Sequence, residues 1–155
     1  MSKIKIAFLF DEKNNWIRKY FNKSLFLNNR FNIDFFYDFK KIKSYDVLFV
    51  IGYTKILNKN FLKKNKLNLL IHESDLPKGK GFSPVQWQIL ENKNLIPIML
   101  IQADLKIDSG KIYYKQNFRL NGSELYDEIR EKQGKATLKI IKNFLYEYPK
   151  VNPRK

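Results

Sequence analysis

The chain has 155 residues, of which 44% are hydrophobic, enough for one compact domain with a buried core. No stretch approaches the roughly eighteen consecutive apolar residues of a membrane-spanning helix, and the N-terminal segment lacks a signal-peptide cleavage pattern. Cysteine is absent and the only histidine is His72, which excludes disulfides, thiolate nucleophiles and a multi-histidine metal site. We therefore expect a soluble, cytoplasmic protein without a bound metal.

The formal net charge of +15 favours polyanionic partners. Lysine supplies most of the thirty basic residues, whereas proteins that read nucleic acids also use the forked hydrogen bonding of arginine. The lysines are also dispersed along the chain and form only short clusters, such as Lys63–Lys64. This pattern favours an anionic small molecule over nucleic acid as the partner.

The first half of the chain alternates apolar strand patterns with short helical patterns. Residues 3–10 predict a strand, and after the polar turn 11–15 the apolar residues from Trp16 to Leu25 recur at helical spacing. Three more strands and one helix follow, namely strands at 31–37, 47–51 and 67–71 and a helix at 58–64.

The second half begins with a long loop, residues 72–83, which contains one proline and two glycines. Pro84 then suits the first turn of a helix, and a later helix that opens at Ser123 is predicted to be interrupted at Gly134. Two strands are predicted between these helices, at 96–101 and 111–118. Strands that alternate with helices predict an α/β fold with a mainly parallel sheet.

Ligands of such folds bind in the loops at the carboxyl ends of the strands. Four predicted loops qualify, namely 11–15, 52–54, 72–83 and 102–110. The first loop contains no glycine, and the chain has neither a GxGxxG nor a P-loop motif, which argues against dinucleotide binding and nucleotide hydrolysis. No GxSxG motif is present either, which argues against a serine hydrolase of the α/β type.

Two side chains in these loops are candidates for acid–base chemistry. His72 follows an apolar strand directly, and Asp108 lies in an Asp-Ser-Gly turn after a later strand. An aspartate beside a histidine orients the ring and stabilises its charged form, as general acid–base catalysis requires. The alternative is an exposed loop histidine and an ordinary turn, and these residues alone leave both interpretations open.

His72 and Asp108 both lie in sequence segments that resemble the motifs of a known family. The stretch 72–77 (HESDLP), with Gly79, Gly81 and 83–87 (SPVQW), resembles the H-x-S-L-L-P…G…P-x-Q-W motif of the folate-dependent formyltransferases. The turn 108–110 (DSG) resembles the downstream aspartate turn of that family. Together with similar segments at 46–57 and 125–127, the resemblance covers residues 3–145.

The resemblance implies a Rossmann-like three-layer fold with helices on both faces of the sheet. Residues 1–148 would form the catalytic domain, and residues 149–155 a C-terminal exit segment that leads toward more structure. It also implies transfer of a formyl group from N10-formyltetrahydrofolate to the amine of an amino sugar. The loop sequences are most similar to the sugar-amine N-formyltransferases associated with surface polysaccharides, which predicts a nucleotide-linked acceptor.

Site residues follow from the same resemblance. His72 and Asp108 would be catalytic, with Asn68 and Ser74 as further support. The residues expected to bind folate are Gly52, Tyr53, Ile56, Leu57, Ser74, Asp75, Leu76, Pro77, Gln102 and Asp104. Those expected to bind the acceptor are Asn14, Asn15, Trp16, Lys78, Lys80 and Gly81.

One position departs from the family pattern. The family places an oxyanion-binding asparagine two residues before the histidine, and this chain has Leu70 there. Asn68 points to the same face of the strand but lies about 13 Å from His72 along an extended chain, too far to replace it. Leu70 therefore leaves a catalytically impaired folate- or sugar-binding module as one alternative to the sugar enzyme. A methionyl-tRNA formyltransferase-like enzyme is a second alternative, which the net charge of +15 suits. The oligomeric state is open, with a homodimer as one alternative.

Overall fold

The computed structural model describes residues 3–26 and 30–154. The chain divides into two compact units, Met1–Leu70 and Ile71–Lys155, called here the first and the second unit. In the described part of the chain, six strands contribute to a mainly parallel sheet, and this confirms the predicted α/β class. Among the described residues, no helix combines the length and the apolar character that crossing a membrane requires.

The first unit consists of parallel strands joined by short helical segments. Strand β1 pairs in parallel with both β2 and β3, and β3 pairs in parallel with β4, which ends two residues beyond the unit. The strands are β1 Ile4–Phe10, β2 Phe31–Phe36, β3 Val47–Ile51 and β4 Leu67–His72. The helical segments are the 3-10 helices Trp16–Tyr20, Lys23–Phe26 and Phe39–Lys41 and helix α1 Lys59–Leu62.

The core of the first unit lies around β1 and β3. From Ile6 onward β1 is completely buried. Its sequence there is apolar without alternation, as expected of a strand that is covered on both faces. On one side Phe8 stacks on Phe49, with ring centroids 5.1 Å apart. A second cluster is built on Leu9 and its neighbours, and half-buried Leu70 packs against it. The strand register thus fixes the position of Leu70 within this apolar cluster.

The second unit combines an antiparallel strand pair with two helices. Strands β5 and β6 pair from Leu95 opposite Arg119 to Ile101 opposite Ile112. Near the C-terminus, the N–H of Arg154 donates to the carbonyl of Ile112, 2.7 Å away. The elements are α2 Pro84–Leu90, β5 Leu95–Gln102, β6 Ile112–Arg119 and α3 Tyr126–Glu147.

Three local predictions differ from the structure. The single helix predicted from Trp16 to Leu25 was wrong, since two short 3-10 helices occupy that stretch. The interruption predicted at Gly134 was also wrong, because α3 continues through it with its burial extending to Ile140 and Phe144 on one face. The strand predicted to end before the histidine instead includes His72 as its last residue.

Candidate active site

His72 is a buried residue with an oxygen atom beside each ring nitrogen. Only 5% of its surface is exposed. Its Nε2 lies 2.8 Å from the carbonyl oxygen of Gly79, and its Nδ1 lies 3.6 Å from Oδ2 of Asp108. Because a carbonyl only accepts hydrogen bonds, Nε2 must carry the proton, and in the neutral ring Nδ1 then has the lone pair. A proton gained by Nδ1 would therefore face a carboxylate.

Asp108 is held in place by the turn that contains it. Its backbone has a φ of +48°, in the left-handed region, which aspartate tolerates better than most residues. Its Oδ2 accepts a hydrogen bond from the N–H of Gly81 at 2.9 Å. Gly110 closes the same turn against the end of β5, where an added Cβ would lie only 1.7 Å from the carbonyl oxygen of Gln102. The Asp-Ser-Gly sequence thus lets the turn approach β5 and places the carboxylate beside His72.

The loop after β4 directs a backbone carbonyl toward the histidine. The Ser74 hydroxyl is buried and donates to the carbonyl of Lys78 at 2.8 Å. Gly79 has a φ of +67°, and an added Cβ would lie 2.9 Å from the Ser74 Cβ. The glycine therefore allows the loop to fold over Ser74 and to present its carbonyl to His72. Ser74, predicted as catalytic support, makes its hydrogen bond within this loop.

A buried carboxyl group anchors the start of the loop. Glu73 Oε1 accepts from Nε2 of Gln133 on α3 at 2.6 Å, and the Glu73 carbonyl accepts from Nε2 of Gln88 on α2 at 2.7 Å. Burial raises the pKa of the Glu73 carboxyl. Sequence reasoning missed this anchor, because its partners lie 60 and 15 residues away and belong to no local pattern. The anchor fixes the backbone beside His72.

Other residues predicted to bind ligands lie on the surface of the second unit. Lys78 and Lys80 are exposed and line a surface groove of about 600 Å³ together with Trp87. Asp75, predicted to bind folate, forms an ion pair with Lys115 at 2.5 Å. The groove therefore offers an aromatic ring and two lysine side chains near the loop that contacts His72.

The segment after β5 has both apolar and polar groups. Asp104 Oδ1 accepts from the N–H of Leu105 at 2.6 Å. Leu105 and Ile107 are 58% and 62% exposed. Exposed apolar side chains beside backbone hydrogen-bonding groups are what a pterin ring needs, since its faces are apolar and its edges are polar. The residues of this segment fit the folate that the family resemblance implies.

The predicted site residues of the first unit have mixed surroundings. Asn14 and Asn15 are exposed, whereas Trp16 is half-buried and its ring lies 6.4 Å from that of Tyr20. In the loop after β3, Ile56 is 86% exposed. Tyr53 and Leu57, like Leu70, instead pack against the apolar cluster built on Leu9, and burial raises the pKa of the Tyr53 hydroxyl. The exposed members of these loops are the ones available to a ligand.

Asn68 is committed to the interior of the first unit. Its Nδ2 donates to the carbonyl of Leu62 at 2.7 Å, and its Oδ1 accepts from Nδ2 of Asn65 at 2.9 Å. Both the nitrogen and the oxygen of the Asn68 amide therefore have hydrogen-bond partners, Leu62 and Asn65. Neither of these contacts supports the catalytic role predicted for Asn68. Leu70 packs against apolar side chains and has no group that could donate a hydrogen bond.

An aspartate beside a buried histidine at the end of a strand is an arrangement that suits general acid–base catalysis. Among the described residues, no group of three or more His, Cys, Asp or Glu side chains could hold a metal ion. Residues 8–143 match the family described as Formyl transferase. Because this match covers most of the sequence, the chain belongs to the formyl transferase family.

The chain is also similar to part of the sequence of curated formyltransferases. The chain is 33% identical over 111 residues to the methionyl-tRNA formyltransferase of Orientia tsutsugamushi, an alignment that covers 68% of this chain and 36% of that protein. The chain thus spans about a third of the length of the curated relatives it matches.

Two solved structures support the fold. Methionyl-tRNA formyltransferase from Clostridium thermocellum superposes with a TM-score of 0.81 at 21% identity, covering 98% of this chain and 68% of that one. A sugar N-formyltransferase from Shewanella sp. superposes with a TM-score of 0.72 at 12% identity, covering 98% and 73%. These likenesses confirm the predicted Rossmann-like fold.

Proposed function

We propose that this protein transfers a formyl group from N10-formyltetrahydrofolate to a primary amine. The observation that carries the proposal is the buried contact of His72 with Asp108, within a stretch of sequence that resembles the family motif. The apolar surface of Leu105 and Ile107 supports folate as the donor. The reaction needs a base for the amine proton and a donor for the developing oxyanion.

The chemical steps can be assigned to His72 and Asp108. The amine nitrogen attacks the formyl carbon, a C–N bond forms, and the formyl oxygen takes the negative charge. His72 accepts the amine proton at Nδ1, the nitrogen with the lone pair, and Asp108 stabilises the imidazolium that results. The bond between the formyl carbon and N10 then breaks, N10 receives a proton from His72, and tetrahydrofolate leaves.

Leu70 limits the rate of this reaction. Loss of one oxyanion donor typically costs about 10²–10³ in rate, and the hydrocarbon side chain of Leu70, which packs against an apolar cluster, supplies none. The N–H of Gly81 is already bound to Asp108. We expect turnover to be slower than in a relative that has the asparagine.

For the acceptor, we propose an amino sugar linked to a nucleotide. Lys78 and Lys80 are exposed on the loop whose Gly79 carbonyl contacts His72. Lysine ammonium groups bind phosphate as point charges, and the groove that these lysines line also holds Trp87. An acceptor with phosphate groups attached to its amino sugar suits this combination.

Charged tRNA is the second candidate acceptor. The relative that is 33% identical to this chain is named a methionyl-tRNA formyltransferase. The net charge of +15 also favours a polyanionic acceptor. Both acceptors carry a primary amine next to a phosphate-rich moiety, so the same chemistry serves either one.

One assay separates these candidates. Release of tetrahydrofolate is measured with 3-amino and 4-amino sugar nucleotides and with methionyl-tRNA, each with the wild-type chain and with His72→Ala. Release that depends on one acceptor and on His72 identifies that acceptor. Binding of 5-formyltetrahydrofolate without any release would support the impaired folate-binding module instead, and absence of both would refute the proposal.

A further inference from the structure

Asp11 joins two loops of the first unit through both of its carboxylate oxygens. Oδ1 accepts from the N–H groups of Lys13 and Asn14 at 2.9 and 3.1 Å. Oδ2 accepts from the N–H and the hydroxyl of Thr54 at 3.2 and 2.5 Å. The hydrogen bonds to Oδ1 thus stabilise the loop after β1. Those to Oδ2 connect this loop to the loop after β3, 43 residues away.

The surroundings make this connection a strong one. Asp11 is only 5% exposed, and hydrogen bonds to a carboxylate are about twice as strong as those between neutral groups. The side-chain hydrogen bond from Thr54, together with three backbone N–H groups, lowers the pKa of Asp11 to about 2. The carboxylate is therefore charged, and all four hydrogen bonds hold, throughout the neutral pH range.

The two loops also run close together beside this carboxylate. Gly52 has a φ of +60°, and a Cβ added there would lie 4.0 Å from the carbonyl oxygen of Asn14. The glycine allows the chain to turn at the end of β3 toward Thr54. The backbone at Asn14 is thus held by its hydrogen bond to Asp11 and lies close to the turn at Gly52.

We propose that Asp11 is a positioning residue that fixes the loop after β1 against the loop after β3 so that both can bind ligands. The inference deepens the proposed function and rests on it, because the family resemblance assigns Asn14 and Asn15 to the acceptor and Ile56 to folate. Asp11 itself has no oxygen left for a ligand. Its effect would reach both substrates through the backbone of the two loops.

The chain offers a matched control at the opposite ends of the same strands. Asp46 Oδ2 accepts from the N–H of Lys5 at 2.8 Å, and this bond connects the start of β1 with the residue before β3. An ion pair with Lys66 and this backbone bond lower the pKa of Asp46. Asp46 is thus a second carboxylate that bridges distant segments with a lowered pKa, but it lies away from the ligand loops.

The test compares Asp11→Asn, Thr54→Val and Asp46→Asn. Asparagine keeps the Oδ1 acceptor for Lys13 and Asn14 but turns an NH2 group toward the N–H of Thr54. Thr54→Val removes only the hydroxyl, and Thr54→Ser should restore wild-type values. Four quantities are measured: the Kd of 5-formyltetrahydrofolate, the KM and the kcat of formyl transfer, and the midpoint of urea unfolding.

We expect Asp11→Asn to raise both the Kd for the folate analogue and the acceptor KM by about tenfold, with kcat within about twofold. Thr54→Val should raise the Kd and the KM by less. In the double variant Asp11→Asn/Thr54→Val, the increase in each constant should be smaller than the product of the increases in the two single variants. Asp46→Asn should lower only the unfolding midpoint. If Asp11→Asn also changes only that midpoint, the inference is wrong.

The design separates this inference from the proposed function. A wild-type chain that binds the folate analogue but transfers no formyl group refutes the function, while the Kd comparison still decides the role of Asp11. Formyl transfer with unchanged Kd and KM in Asp11→Asn refutes the positioning role alone. A wild-type chain that binds no folate analogue refutes both.

Discussion

Asp11 and Asp108 both follow strands of the sheet, but their carboxylates are used differently. Asp11 accepts four hydrogen bonds from Lys13, Asn14 and Thr54, so its capacity is filled. Asp108 accepts one bond, from Gly81, and faces the Nδ1 of His72 at 3.6 Å. A carboxylate whose acceptor positions are all occupied holds the backbone in place. A carboxylate with unoccupied acceptor positions can stabilise a proton that a neighbouring group gains during a reaction.

The largest expected effects on the rate of formyl transfer come from substitutions of His72 and Asp108. His72→Ala should lower kcat of formyl transfer by about 10³ and Asp108→Asn by about 10², because the base and the group that orients it are lost. Asp11→Asn should instead raise KM, so steady-state kinetics of the three variants test the contrast. An Asp108→Asn enzyme with wild-type kcat would show that the carboxylate does not assist His72.

A second prediction concerns the missing oxyanion donor. Leu70→Asn should raise kcat by about tenfold to a hundredfold, since it restores an amide on the face of the strand that also holds His72. Leu70→Ala is the control, because it removes the same packing contact without adding a donor. Equal rates for the two variants would mean that an amide at this position does not reach the oxyanion. Single-turnover formyl transfer is the measurement.

The third prediction separates steric fit from backbone strain in the loop beside His72. Gly79 and Gly81 both have positive φ, but only at Gly79 would a Cβ meet another atom closely, 2.9 Å from Ser74. Gly79→Ala should therefore cost about 1–2 kcal/mol more free energy of unfolding than Gly81→Ala. Urea unfolding of both variants gives the comparison. A smaller cost at position 79 would contradict the loop geometry described here.

The smallest effect is the pH dependence that Asp11 confers. Its pKa is lowered to about 2 in the folded chain, against about 3.9 when unfolded. The stabilisation is therefore complete above pH 4 and is lost as the pH falls through about 2; solvent screening limits it to about 1–2 kcal/mol. The stability difference between wild type and Asp11→Asn should shrink over this interval. A constant difference would show that the ionised carboxylate is not the source.

The sequence was sufficient to predict the strands and the proximity of His72 and Asp108. Continuous apolar runs such as Val47–Ile51 predict buried parallel strands, and the structure has a strand with those bounds. The order of His72 and Asp108, at the ends of successive predicted strands, indicated that they lie together, and their side chains are indeed adjacent. Both inferences depend on local patterns, which a sequence displays directly.

Contacts between distant residues could not be predicted in the same way. Residues 11–15 were predicted as a polar turn, and Asp11 does bind its own loop, but it also binds the distant Thr54. An aspartate followed by polar residues is a signal for a local turn of this kind, but nothing in the sequence pairs it with position 54. The Glu73 contact with Gln133 is hidden for the same reason.

The most direct test of the account is tetrahydrofolate release from N10-formyltetrahydrofolate, measured with a panel of amine acceptors for wild type and for His72→Ala in parallel. We predict release that depends on one acceptor in the wild type and falls by about 10³ in the variant. Release that is equal in the two proteins, or independent of any amine, would contradict the assignment of His72 and Asp108 as the centre of formyl transfer.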